Sequence, residues 1–285
     1  MVKMNQRLPS FFIIGAMKCG TSTLQTQLSM QNGIFMCEPK EPNFFSDDGI
    51  FAKGIDWYKG LFETAQEADL LGEASTHYTK LPNHPHTIPR LQNAVLKPRF
   101  VYMIRNPVAR SVSHFIHEWS QGVLSDDLEK AFTSNPELVD YGRYGMQIRP
   151  WIETFGKESV FLTSLEQIKA DPQGELSAIC SHIGFEGDLS WQEDIEAQNV
   201  SSERVRKFPL HSLLVDHPIS AKLRRTLVPK SLRDRVKASR QMSERPTLPP
   251  ELKQDLEGVF EKDRRQLAAL FPEHPALKLC YPFLE

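Results

Sequence analysis

Two short stretches of this sequence hold residues able to grip phosphate. The first is FFIIGAMKCGTSTL, residues 11–24. Gly15 and Gly20 keep the spacing of the ATP-type loop G-x-x-x-x-G-K-[ST], but Thr21 stands where that loop has its lysine. Lys18 lies inside the loop instead. A loop that leaves a strand and opens a helix aims several backbone N–H groups at one place, and the helix N-terminus adds positive potential there. Glycines let the backbone come close to a ligand. The expected ligand is therefore an anion, a phosphate foremost. The second stretch is IRNPVARSVSHF, residues 104–115. ATP hydrolysis needs a metal held by the loop Ser/Thr and by an acid at the end of a neighbouring strand. Arg105 occupies that strand end here, and a cation attracts a second phosphate rather than a metal ion. Two phosphate sites with no metal-holding acid point to a nucleotide carrying phosphates at both ends of its ribose.

These residues need elements to position them. Phe11-Phe12-Ile13-Ile14 is a continuous apolar run, the pattern of a strand buried on both faces. Thr21 and Ser22 are good helix caps, and Leu24 and Leu28 share a helical face, so a helix opens after the loop. A second buried strand covers 100–104, and Pro107 suits the first turn of the helix that follows. That helix sets Val108, Val112, Phe115, Ile116 and Trp119 on one stripe. A third strand spans 160–163, with a helical stretch over 172–183 after it. Strands alternating with helices imply a parallel sheet with right-handed crossovers. The predicted class is α/β: a P-loop-type, three-layer fold, its central parallel sheet flanked by helices, with a helical C-terminal extension. One domain over 1–285 is the simplest account, with a core of about 10–185 and an extension of about 190–285. The last helix is predicted to start near Pro249-Pro250, with Leu252, Leu256, Phe260, Leu267 and Leu270 on one stripe and Glu261 paired with Arg265.

Composition bounds the function. With 285 residues, 40% hydrophobic and 25% charged, the chain can build a packed core. Its net charge of -2 excludes a polycation made for nucleic acid, so an anion site must be a local cluster. Cys19, Cys37, Cys180 and Cys280 form no CxxC pair, which argues against a zinc site or a disulfide framework and fits a reducing compartment. The apolar run 11–17 is too short for a membrane span and lacks a cleavage site, so the expected location is the cytoplasm. Asn199-Val200-Ser201 is a glycosylation sequon with no export signal to bring it into use.

The segment GAMKCGTSTL resembles the 5′-phosphosulfate loop of sulfotransferases that use PAPS (3′-phosphoadenosine 5′-phosphosulfate), in which the lysine also lies inside the loop. IRNPVARSVSHF resembles the family's 3′-phosphate motif, R-N-P-x-x-R-x-x-S. Between them, KEPNFF (40–45) and KGIDWYKGLF (53–62) are similar to the carbohydrate sulfotransferases, the heparan sulfate group included, as in a soluble bacterial-type member. GEASTHY (72–78) matches a family strand less closely. The likeness runs in order over roughly residues 10–185.

The resemblance implies sulfuryl transfer from PAPS to a hydroxyl or amine, leaving PAP, with no metal required. The leaving group is a phosphate, so a cation belongs beside the bridging oxygen; Lys18 is the candidate, as electrostatic stabiliser and proton donor. Cys19, Gly20, Thr21, Ser22 and Thr23 would hold the 5′-phosphate. Arg105 and Ser113 match the 3′-phosphate ligands, while Arg110 either belongs with them or is an exposed helix charge. The carbohydrate branch takes its base from a glutamate shortly after the second strand, which places Glu41 in that role, with Glu38 the alternative. His77 is the rival base and a candidate acceptor contact; His114 and His117 are read as solvent-facing or structural. Tyr144, in GRYGMQIRPW (142–151), either contacts the ligand or packs. Trp57 and Tyr58 either stack on a sugar or adenine or belong to the core. Arg204, Arg206 and Lys207 are candidates for a late basic loop closing the 3′-phosphate site. The basic stretch 222–240 either holds an anionic acceptor, touches an anionic membrane surface, or is a solvated helix face. Two other function classes remain: an ATP-dependent small-molecule kinase with a displaced lysine, and a non-catalytic PAP- or glycan-binding module. Sugar, lipid, phenol and peptide-bound hydroxyl all remain open as acceptors, because acceptor pockets are made by variable loops.

Overall fold

The computed structural model of the protein describes residues 7–194 and 245–284. Its strands are β1 (Phe11–Gly15), β2 (Ile34–Met36), β3 (Leu70–Ala74), β4 (Arg99–Ile104) and β5 (Val160–Ser164). They form one sheet in the order β2-β3-β1-β4-β5, and every neighbouring pair is parallel. Phe11 to Ile14 and Phe100 to Ile104 are buried throughout, as the unbroken apolar runs predict for strands covered on both faces. From β1 the chain moves outward to β2, returns to β3, then crosses to β4 on the other side of β1. The crevice at the carboxyl ends of β1 and β4 is thus a topological switch point, where open α/β sheets bind ligands.

Two strands gave no clear apolar signal. β2 has only three residues. β3 carries Gly72 and Glu73 in its middle, yet both are buried. A Cβ at Gly72 would collide with the Phe11 ring, so only glycine lets β3 lie so close to β1. The Glu73 carboxylate accepts hydrogen bonds from Ser75 Oγ (2.5 Å) and from the Tyr58 hydroxyl. Burial pushes its carboxyl above the usual range, against the pull of those bonds.

Five helices cover the sheet and support the site: α1 (Thr21–Ser29), α2 (Pro107–Ser120), α3 (Tyr144–Phe155), α4 (Pro172–Ile183) and α5 (Pro250–Leu270). On α2 the predicted stripe faces inward, but Arg110, Ser111, Ser113 and His114 are buried too. The reason is tertiary: the short helix Glu137–Asp140 and α5 also pack against α2. The helix near Pro249-Pro250 begins where expected, and Arg265 Nη2 lies 2.5 Å from Glu261 Oε1. It packs against α3 as part of the body of the structure. Asp263, 2% exposed, accepts from the backbone N–H of Gly145 (2.8 Å) and of Met146 (2.9 Å), closing the first turn of α3. A Cβ on Gly145 would stand 2.8 Å from the Asp263 carbonyl oxygen, so this contact also depends on glycine.

Candidate active site

The loop between β1 and α1 sits at the switch point. Gly20, not Thr21 or Ser22, is the N-cap of α1; its φ of 94° is left-handed, which a residue with a Cβ resists. This corrects the capping expectation. Thr21 and Ser22 are the first helical residues, and their amides precede the first intrahelical bonds, from Thr23 N (3.1 Å) and Leu24 N (3.3 Å) to Gly20 O. The Ser22 hydroxyl, released from capping, accepts from Lys40 Nζ at 2.5 Å. Lys18 has φ 68°, a left-handed geometry that costs a non-glycine residue about 1–2 kcal/mol.

Arg105 leaves the tip of β4, the strand paired directly with β1. Its Nη1 donates to the Lys18 carbonyl oxygen at 3.4 Å, and its Nε is buried with no partner among the described residues. Asn106 caps α2 by accepting from Ala109 N (2.9 Å), while its own amide donates to Glu166 Oε1 (3.0 Å). Pro107 follows at the first helical position. Ser113 lies buried nearly two turns further on.

Arg110 is not an exposed helix charge: it is 0% exposed. It donates to Ser111 Oγ (3.1 Å) and to the Leu138 carbonyl oxygen, and its Nη1 lies 3.5 Å from His114 Nδ1. A guanidinium can only donate, so His114 Nδ1 accepts and the proton sits on Nε2. Nε2 in turn faces Glu118 Oε1 at 3.5 Å. Burial pushes the His114 imidazole down to about 4, so near pH 7 it is neutral and structural, one of the two roles read for it. His117, half-buried, stands 3.9 Å from the same carboxylate oxygen.

Tyr144 packs. It is fully buried, its hydroxyl donates to Arg105 O (2.9 Å), and it lies 3.5 Å from Cys19 Sγ. It thereby pins the loop and the strand tip to α3. Burial pushes the Cys19 thiol up to about 11, so it stays protonated. Tyr58 belongs to the core, stacked on Phe44 with centroids 4.5 Å apart, and half-buried Trp57 carries the Lys53 ammonium 4.5 Å over its ring. All four cysteines are free and buried.

Glu41 follows β2 and is half-buried, with φ 55°. Its amide donates to Ala74 O (3.0 Å), and its Oε1 accepts from Thr76 Oγ1 (3.2 Å) and lies 3.7 Å from Lys40 Nζ. Lys40 thus spans Ser22 in the first turn of α1 and Glu41. Sequence reasoning passed it over, although it directly precedes Glu41. Burial lowers its ammonium below the usual range, opposed by Glu41. Glu38 is exposed. The one-turn helix Thr76–Thr79 is seated against the end of β1: Thr79 Oγ1 donates to Ile14 O (2.8 Å), and a Cβ on Gly15 would collide with that hydroxyl. His77, in this turn, stacks on His84 at 4.8 Å. Burial first, then the charges of Lys80 and His84, push it down to about 4, leaving it no more basic than a carboxylate. Lys80, the next residue after the turn, is 8% exposed and was also missed. Arg204, Arg206, Lys207, Asn199 and the stretch 222–240 lie outside the described residues.

Residues 8–267 match the sulfotransferase domain. The chain belongs to the sulfotransferase domain family. The sulfotransferase resembles the membrane-associated sulfotransferase kil1 of Dictyostelium discoideum, 35% identical over 130 residues, which cover 44% of this chain and 26% of that protein. It is also similar to the bifunctional heparan sulfate N-deacetylase/N-sulfotransferase 4 of Mus musculus, 24% identical over 206 residues, or 65% of this chain and 23% of that protein. The chain therefore spans about a quarter of the length of these curated relatives. Among solved structures it shares its fold with a sulfotransferase from Alicyclobacillus acidocaldarius, with a TM-score of 0.68 and 22% identity, covering 95% of this chain and 99% of that one. No helix among the described residues is long and apolar enough to cross a membrane.

Proposed function

We propose that this sulfotransferase binds PAPS across the carboxyl ends of β1 and β4 and passes its sulfuryl group to an acceptor of the carbohydrate type. The observation that carries this reading is the 3.4 Å bond from Arg105 Nη1 to the Lys18 carbonyl oxygen. It holds the backbone of the loop that carries Lys18 against the strand-tip cation, as a nucleotide charged at both ends requires. Gly20, Thr21, Ser22 and Thr23 receive the 5′-phosphate on amides and hydroxyls, with Cys19 buried beneath. Arg105 and Ser113 take the 3′-phosphate, and Arg204, Arg206 and Lys207 close it. Lys18 neutralises the charge that grows on the leaving oxygen. Glu41 takes the acceptor proton as the new bond to sulfur forms, and His77 lines the acceptor side. Lys18 and Glu41 both hold left-handed backbone geometry, a strain that collects at functional sites. Much of the rate comes from aligning acceptor atom, sulfur and leaving oxygen. The carbohydrate branch rests on KEPNFF and on the likeness to the heparan sulfate enzyme; a single domain and a cytoplasmic location complete the reading.

Calorimetry with PAP and a labelled-PAPS screen over sugars, lipids, phenols and peptides test it together. PAP should bind without added metal and far more tightly than ATP. Lys18→Ala should abolish transfer, and Glu41→Gln should cut turnover while PAP affinity holds. ATP binding that needs magnesium would instead favour the kinase class. PAP binding with no transfer to any acceptor, and a dispensable Lys18, would mark a non-catalytic module.

A further inference from the structure

Lys40 takes no part in the function proposed above. It follows β2 and directly precedes Glu41, whose amide is fixed to Ala74 O at 3.0 Å. Its ammonium makes two contacts among the described residues. It donates to Ser22 Oγ at 2.5 Å and lies 3.7 Å from Glu41 Oε1. The side chain is 28% exposed, so the ammonium is partly shielded from water between the first turn of α1 and the carboxylate.

Two features of this contact point to an anion. A hydroxyl carries one proton and two lone pairs, and an ammonium can only donate. The Lys40 bond therefore fills a lone pair of Ser22, and the Ser22 proton is left to donate elsewhere. No acceptor for it stands among the described residues. A hydroxyl that accepts from a cation is also polarised into a better donor. The second feature is the place. Ser22 lies in the first turn of α1, at the positive end of a nine-residue helix, where a cation is destabilising by itself. Arg105, bonded to the adjacent loop at Lys18 O, adds a further positive charge. Glu41 offsets one of these charges, and an anion on the first turn of α1 would offset the rest.

We propose that Lys40 is a positioning residue for the 5′-phosphate of the donor: it holds the Ser22 hydroxyl with its proton turned toward that phosphate, and Glu41 holds the ammonium in place. The inference rests on the reading that puts the 5′-phosphate on Gly20 to Thr23. Lys40 stands 18 residues beyond Ser22 and outside the glycine loop, so it acts on the phosphate through the hydroxyl and not as a member of the loop. The same ammonium links the 5′ end of the donor to the candidate base.

Calorimetry with three adenosine nucleotides tests this: PAP, adenosine 5′-phosphate and adenosine 3′-phosphate. Lys40→Met keeps most of the side chain's length and removes its charge and its donors. It should weaken PAP and adenosine 5′-phosphate by about tenfold, the scale of one hydrogen bond to a charged group, and leave adenosine 3′-phosphate unchanged. A general disturbance of the fold would weaken all three alike, and thermal melting of the variant checks for it separately. Lys40→Arg should restore part of the loss. Ser22→Ala should weaken PAP by a similar factor, and Lys40→Met added to Ser22→Ala should weaken it no further, because the two act through one hydroxyl. Wild-type PAP affinity in Lys40→Met, an equal loss for adenosine 3′-phosphate, or a further loss of about tenfold in the double variant overturns the proposal. Ser22→Ala at wild-type affinity overturns the placing of the 5′-phosphate on Ser22 and this inference with it, whereas a weakened Ser22→Ala beside an unaffected Lys40→Met removes Lys40 alone.

Discussion

Among the groups through which acid should loosen this fold, one buried imidazole can be isolated, and the size of its effect follows from the structure. His114 is 2% exposed, accepts from Arg110, and is held neutral with its group pushed from 6.5 down to about 4. Its folded value lies below its unfolded value, so between these two the unfolded chain binds more protons and stability falls as pH falls. Above about 6.5 neither state is protonated and nothing is lost. Between pH 7 and pH 5 the linkage relation gives a loss of about 2 kcal/mol, and the full loss, below about pH 4, is roughly 3 kcal/mol. His114→Gln keeps a donor and an acceptor on the side chain but cannot titrate. Urea unfolding followed by circular dichroism at both pH values, for wild type and variant, reads the term for His114 together with Glu118, whose carboxyl His114 holds below the usual range, while His77 contributes to both proteins. The wild type should lose about 2 kcal/mol more than the variant. Equal losses would refute the claim that His114 is buried as a neutral acceptor for Arg110.

Three other outcomes follow from the packing. Gly15→Ala should destabilise the protein by several kcal/mol and abolish PAP binding, since its methyl takes the place of the Thr79 hydroxyl; thermal melting and calorimetry check both. Asp263→Leu leaves the buried amides of Gly145 and Met146 unmet, an expected loss of about 2–4 kcal/mol in urea unfolding. Tyr144→Phe removes the hydroxyl bonded to Arg105 O and should weaken PAP binding several-fold at a cost of about 1 kcal/mol in stability; unchanged affinity would detach α3 from the donor site.

Much of the loop and strand tip at the switch point was legible in the sequence because each is local. Gly15, Lys18 and Gly20 lie in one loop, and Arg105, Asn106 and Pro107 in one strand tip, so spacing alone shows a strand, a turn and a helix start. The continuous apolar runs of β1 and β4 announced a parallel sheet, since strands covered on both faces carry no polar alternation. The order of the strands was not written there. It depends on β3, where a glycine makes room for Phe11 and a buried glutamate is satisfied by Tyr58 and Ser75, partners 15 and 2 residues away. The surroundings of Arg110 and Lys80 depended on distance in the same way. Arg110 was assigned to a solvated face or a phosphate until Leu138 and His114 enclosed it, and Lys80 drew no notice until the fold buried it. Local chemistry was readable from residue types because neighbours in the chain set it. What each charge costs or does was decided by the fold, because a side chain's energy depends on which distant atoms replace its water.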